Sequence, residues 1–267
     1  MLNEVTSGDS RPNAIGLDGV AVKPTESDLY RIDDLPVETI AIDYEGTDTF
    51  PDRRLLDTLA KRHNVRVTTP IRADGFDPLG DESLVSEIPD AVGRVLVAGH
   101  PAYLTDRERR RAVAPRLGSA VDSDPGAWVG TESVERIALA TGAPQFELLS
   151  RTTEREIRAL RAAGFTGEIA VYAPTVCTDD HDAILDAVGA YVGRRRPISR
   201  SLPEGAPTDS TATGDVRTTL LEGAKTYALV GDESTVRESI ERLRAVGVTT
   251  VIGYPARGLD ALFEEPR

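Results

Sequence analysis

Lys225 to Gly258 read KTYALVGDESTVRESIERLRAVGVTTVIGYPARG. Residues 226–230 (TYALV) are apolar and β-prone, and Gly231 breaks them. Asp232, Glu233 and Ser234 then open a helix as capping residues and N-terminal acids. Val236, Ile240, Leu243 and Val246 recur at helical spacing, so one face is apolar. Gly247 stops the helix. Residues 249–252 (TTVI) form a second apolar strand, which Gly253-Tyr254-Pro255 ends. Short joints in a strand–helix–strand unit imply parallel strands and a right-handed crossover.

Working outward, the same alternation recurs. Strands are predicted at 38–44, 64–71, 94–100, 117–123, 145–150 and 168–174. Helices are predicted at 52–62, 82–91, 104–115, 131–142, 152–164, 179–195, 216–224 and 259–265. Thr105 and Thr131 read as helix caps, and Gly142 as a stop. Segments 72–81 and 124–130 read as loops. With 226–230 and 249–252, eight strands each precede a helix, which fits a single α/β (β/α)8 TIM-type barrel of about 250 residues. An open doubly wound sheet would carry a Gly-rich fingerprint after its first strand. The residues there are DYEGTD (43–48), so the barrel is the better reading. Residues 1–36 are expected to be irregular, with GVAVKP (19–24) as a short strand plugging or flanking the core. The barrel then occupies 37–267, with a flexible Pro/Ser/Thr/Gly-rich insertion at 197–215.

Composition narrows the chemistry. The 267 residues carry a formal charge of −13, and lysine occurs only as Lys23, Lys61 and Lys225. Acidity, scarce lysine and few aromatics suggest adaptation to a salty cytoplasm. The field opposes sequence-independent binding of nucleic acid or anionic membrane. Arg109–Arg111 and Arg194–Arg196 are local exceptions that read as solvated helix faces. No apolar run approaches the ~20 residues of a membrane span, and the polar start shows no secretion signal, so a cytoplasmic location is expected. Cys177 is the single cysteine, which excludes an internal disulfide and a cysteine-built zinc site. A small-molecule ligand is the expected partner, and homo-oligomerisation stays open.

Chemistry in such barrels sits at the C-terminal strand ends. The predicted ends offer Asp43, Tyr44 and Glu45; Thr69, Arg72 and Asp74; His100; Asp122, Asp124 and Trp128; Ser150 and Arg151; Tyr172 and Thr175; Gly231; and Gly253, Tyr254 and Arg257. A Schiff-base aldolase needs a lysine in the mouth, but Lys225 precedes its strand and Lys61 lies on a helix. A zinc hydrolase needs several histidines, and of His63, His100 and His181 only His100 falls at a strand end. Asp43, Asp122 and Asp124 are carboxylates of the kind magnesium takes, but scattered acids in so acidic a chain carry little weight, and no metal is expected. No G-x-S-x-G elbow occurs. His100 is the candidate for acid–base work, histidine being the residue that titrates near neutrality, or else a hydrogen-bonded mouth histidine. Tyr172 and Tyr254 either stack on a planar ligand or fill the barrel top. An anion fits the helix N-terminus after Gly231, with the amides of Glu233 and Ser234 facing it and Arg257 adding charge. Alternatively, Asp232 and Glu233 cap that helix themselves.

Two segments, EIAVYAPTVCTDDHDAILDAVGAYVGRR (168–195) and LLEGAKTYALVGDESTVRESIERLRAVGVTTVIGYP (220–255), resemble the C-terminal half of the bacterial luciferase-like superfamily. These are barrel proteins that use flavin or the deazaflavin F420. Gly231-Asp232-Glu233-Ser234 stands where that group carries a Gly-Thr-Pro-Glu-Glu-Val turn. The resemblance implies an oxidoreductase or monooxygenase, with FMN or F420 across the mouth near Asp43, His100, Tyr172 and Tyr254, and the phosphate near Gly231, Ser234 and Arg257. A non-catalytic barrel binding a small ligand or a protein partner, and a barrel enzyme acting on a phosphorylated metabolite, are the alternatives.

Overall fold

Gly19–Val22 closes the ring. These four residues pair in parallel with Thr39–Ile42 on one side, while Gly19 and Val20 pair with Ile252 and Gly253 on the other. The structure, a computed structural model, describes residues 11–263.

In chain order the elements are α1 (Arg11–Ile15), β1 (Gly19–Val22), β2 (Thr39–Ile42), α2 (Arg53–Leu59), β3 (Asn64–Pro70) and β4 (Gly93–Val97). Next come α3 (Asp106–Arg109), α4 (Val113–Ser123), β5 (Trp128–Gly130), α5 (Glu135–Ala140), β6 (Gln145–Leu148) and α6 (Thr153–Ala162). The chain continues through β7 (Ile169–Cys177), α7 (His181–Gly193), α8 (Arg196–Ser199), α9 (Gly214–Tyr227) and β8 (Leu229–Gly231). It ends with α10 (Glu233–Ala245), β9 (Thr250–Pro255) and α11 (Leu259–Phe263). Strands β1 to β7 neighbour one another in order, β7 pairs with β9, and β9 returns to β1. The result is a closed eight-stranded parallel barrel ringed by helices, the (β/α)8 fold.

The strand count agrees with the sequence reading, but two members differ. The first is β1, expected only as a short strand plugging or flanking the core within an irregular segment; it is instead a full member of the ring. Its four residues are all buried, so the two-residue alternation of a half-exposed strand is missing. The second is the stretch 226–230. There α9 runs on to Tyr227, whose ring is buried against α7, leaving only Leu229–Gly231 extended. This short strand pairs with Thr175–Cys177, beyond the part of β7 that β6 occupies (Ile169–Tyr172) and on the edge away from β9, and stands outside the ring.

A further difference is local. Residues 117–123, expected as a strand, belong to α4, and the strand is Trp128–Gly130, expected as loop. A short apolar run does not distinguish strand from buried helix by period. Here Val113, Leu117, Ala120 and Val121 face one helical side and pack on Leu96 and Val129. Of the helix expected at 82–91, only a 3-10 turn at Val85–Glu87 forms. Thr105 caps α3 as expected, in a reciprocal capping box with Glu108.

Residues 197–215 lie outside the ring and pack on α7. A Cβ at Gly189 of α7 would lie 1.9 Å from the Thr208 carbonyl oxygen, so only glycine admits that approach. Ala212 in the same segment is buried. Arg111 also departs from a solvated face: it bridges Asp74 (2.5 Å) and the buried Asp77 (3.2 Å), with Arg116 on the other oxygen of Asp77 at 2.8 Å. These pairs fix the loop after β3 beside the mouth. No described helix is long and apolar enough to cross a membrane.

Candidate functional site

Alternation along a strand sends every second side chain into the lumen. Ala21, Ala41, Val95, Trp128, Ala170 and Ile252 meet there as one buried cluster. The lower end is plugged: the Arg66 guanidinium lies 3.8 Å from the centre of the Trp128 ring, and the indole N–H donates to Glu168 at 2.9 Å. The alanines leave room above them, which aromatic rings from later strands fill. Trp128 stacks on Phe146 (5.7 Å, 18°), Phe146 meets Tyr172 edge-on (5.8 Å), and Tyr172 lies nearly parallel to Tyr254 (6.3 Å, 15°). Trp128 is buried, whereas Phe146, Tyr172, Tyr254, Val97 and Leu148 are each half-buried. The row therefore climbs from the closed floor to a mouth that water reaches.

The mouth has two sides. Val97, Phe146 and Leu148, on β4 and β6, are apolar. The opposite side is polar and is built by β1, β2 and β9. Tyr172 donates to Asp43 Oδ2 at 3.3 Å. Lys23, one residue past β1, donates to Glu26 at 2.9 Å and to the Tyr254 hydroxyl at 3.2 Å, and its ammonium sits 4.5 Å from the Tyr254 ring centre. Tyr254 donates to the second oxygen of Glu26. Thr25 holds Glu45 through its amide (2.9 Å) and hydroxyl (2.6 Å).

These surroundings shift the ionisable groups. Burial pushes the Asp43 carboxyl up to about 6, against the opposing pull of Lys23 and the Tyr172 hydrogen bond; Glu45 and Glu26 add to the rise. Asp43 still keeps an edge open to water. Burial, then the Asp43 charge, raises Tyr172 well above an ordinary phenol. Burial lowers Lys23, but hydrogen bonds to Glu26 and Tyr254 outweigh it and the ammonium is strengthened. A carboxyl that titrates near neutrality, beside a firm cation and two phenols, can take or release a proton at physiological pH.

The expected site residues separate into two places. Asp43, Tyr172 and Tyr254 come together at the mouth. His100 is on its rim, exposed, with Nδ1 accepting from the Ala102 amide at 3.1 Å and its ring 5.9 Å from Tyr103. Gly231, Ser234 and Arg257 sit elsewhere, around β8 and the approach to α11. Asp232 caps α10, accepting from the Thr235 amide at 2.8 Å and the Ser234 hydroxyl at 2.9 Å, while Glu233 pairs with Arg11 at 2.8 Å. Gly231 has φ +128°, and a Cβ there would lie 2.8 Å from Thr235 Cγ2, so the turn itself needs glycine. Arg257 is exposed. Asp122 and Asp124 lie at the end of α4, before β5, at the opposite end of the barrel from Asp43. No group of three metal-ligating side chains occurs among the described residues.

Lys23, Glu26, Tyr103 and Phe146 line the mouth without having been singled out in the sequence. For Lys23 the signal was present in GVAVKP, a β-prone run ending in the chain's first lysine, but it requires the run to be a ring strand.

Two solved structures share the fold. One is an F420-dependent secondary alcohol dehydrogenase in complex with an F420-acetone adduct: 12% identity, TM-score 0.55, covering 90% of this chain and 94% of that one. The other is apo-MsnO8: 14% identity, TM-score 0.54, covering 91% and 95%. No curated protein matches the chain. Residues 12–262 match a family of unknown function, DUF7388, and the chain belongs to that family.

Proposed function

We propose that the protein is a luciferase-like oxidoreductase whose barrel mouth takes a flavin or the deazaflavin F420, with Asp43 as the proton-handling group. The observation that carries this reading is the position of Asp43: at a C-terminal strand end, hydrogen-bonded to Tyr172, and raised to about 6. The F420-dependent structural neighbour supports the cofactor class through fold alone.

The mouth fits the ring of such a cofactor better than α10 fits its phosphate. Tyr172 and Tyr254 offer a flat wall, and Asp43 and Lys23 offer polar partners for a ring edge. At α10, Asp232 and Glu233 already occupy the positive end of the helix, so no anion is assigned there. When bound, such a group supplies the hydride chemistry. Asp43 holds or gives up a proton, Tyr172 orients that carboxyl by donating to Oδ2, and Val97, Phe146 and Leu148 keep water from the apolar side. His100 contributes at the rim.

The satisfied N-terminus of α10 favours one alternative, a non-catalytic barrel that binds a small ligand at the same mouth. Titration of the full chain with F420 and with FMN, followed by fluorescence in molar salt, separates the two. Saturable binding of either below millimolar concentration is expected. Absence of binding by both overturns the cofactor reading and leaves the ligand-binding barrel.

A further inference from the structure

Lys23 stands at the mouth because β1 is a ring strand. Ala21 faces the lumen, and the alternation carries on to Lys23. Its ammonium and the Tyr254 hydroxyl grip the two oxygens of a single carboxylate, that of Glu26. The two donors come from neighbouring ring strands, β1 and β9. The carboxylate does not belong to the ring: Glu26 sits on the exposed connection after β1, with 49% of its side chain open to solvent. An ion pair so exposed holds weakly and is displaced readily. The Phe146–Tyr172–Tyr254 row leads from the apolar side of the mouth to these two donors.

The geometry points to a carboxylate subsite formed by Lys23 and Tyr254, in which Glu26 is the internal occupant and the ligand is a small organic acid with a flat apolar body. The body lies along the aromatic row and its carboxylate takes the place of Glu26. Hydrogen bonds keep Lys23 a firm cation, so it acts through charge and not as an amine nucleophile. The neighbouring Glu45 is itself held by Thr25. This inference deepens the mouth reading by naming a ligand class. It rests on the mouth being the binding site and does not require the cofactor.

Phenylacetate is the probe and phenylacetamide its uncharged control, both titrated calorimetrically into the full chain in stabilising salt. Saturable phenylacetate binding is expected, with the amide failing to bind. Lys23→Met should weaken phenylacetate by roughly tenfold or more, the scale for losing a charged hydrogen bond. Glu26→Gln should tighten it by about two- to fivefold, since the occupant loses its charge. Tyr254→Phe keeps the ring stack and removes one donor, so it tests the same point if Lys23→Met does not fold. Equal binding of acid and amide, wild-type affinity in both Lys23→Met and Tyr254→Phe, or no saturable binding to Glu26→Gln overturns the subsite. If phenylacetate behaves as expected while F420 and FMN do not bind, only the cofactor reading fails; the converse result removes only the subsite.

Discussion

Tyr172 on β7 donates its phenolic proton to Asp43 on β2, 3.3 Å away across the barrel mouth. Two strands, β1 and β9, separate them in the ring, so the bond spans the lumen and does not follow the sheet. It ties a carboxyl that burial drives toward the neutral form to a phenol that burial drives the same way. The two groups share one proton-handling position at the end of an aromatic row.

Asp43→Asn should change how stability depends on pH. The Asp43 carboxyl lies at about 6 when folded, against an ordinary value of 3.8. Between those values the folded chain keeps a proton that the unfolded chain releases. The stabilisation from this group is therefore full below the ordinary value and is lost as pH rises through about 6. Asparagine has no such loss. The variant should gain on the wild type by about 1–3 kcal/mol between pH ~4 and pH ~6, then keep a constant difference. Urea unfolding across that range measures it, and a difference that does not vary with pH would count against the raised carboxyl.

Trp128→Ala should cost about 3–5 kcal/mol, the range for removing a large buried aromatic side chain. Trp128 is 1% exposed, carries the stack of the half-buried Arg66 guanidinium and donates to the exposed Glu168, so its loss also removes a cation–π contact and one hydrogen bond. It is the only tryptophan, so unfolding is followed by circular dichroism. A cost below about 1 kcal/mol would show that the lower lumen is not a packed plug.

How much was legible follows from where the burial pattern is simple. Within 225–258, α10 and β9 are readable because α10 has one apolar face and clear stops at both ends. The first strand is not, since Thr226 and Tyr227 finish α9 and Leu229–Gly231 stands outside the ring. β1 is legible as a short strand in GVAVKP but not as a member of the ring, since a strand buried on both faces shows no alternation, and that hides Lys23 from the list of strand-end residues. The helix α4 was read as a strand because LGSAVDS is too short for its period to decide. Asp43, Tyr172 and Tyr254 were reachable as residues at strand ends. Their meeting was not, because β2, β7 and β9 lie far apart in the chain and only ring closure brings them together. The self-capping of α10 by Asp232 was visible as one of two readings, and sequence had no means of choosing.

Gly189→Ala tests whether residues 197–215 are held against α7. Its Cβ would fall 1.9 Å from the Thr208 carbonyl oxygen, which the backbone has to move to relieve. A loss of about 1–3 kcal/mol is expected, the cost of overpacking, in place of the small gain that alanine usually brings inside a helix. A stabilised variant in thermal melts would mean that the segment does not rest there.

Salt should stabilise the protein. A formal charge of −13 implies strong self-repulsion at low ionic strength, and salt screens it over a Debye length of about 3 Å at 1 M. The melting temperature is expected to rise substantially from low to molar KCl. A melting curve that ignores salt would contradict the proposed adaptation to a saline cytoplasm.

The titration of Asp43 itself is the most direct measurement of a working barrel mouth. Carbon-13 NMR of its side-chain carboxyl, assigned by the signal missing from Asp43→Asn, reads the protonation in the intact fold. A midpoint near 6 is expected in the free protein, displaced by saturating F420 or FMN. A midpoint at the ordinary aspartate value, about 4 and unmoved by either cofactor, would contradict both the proton-handling role and the site built around it.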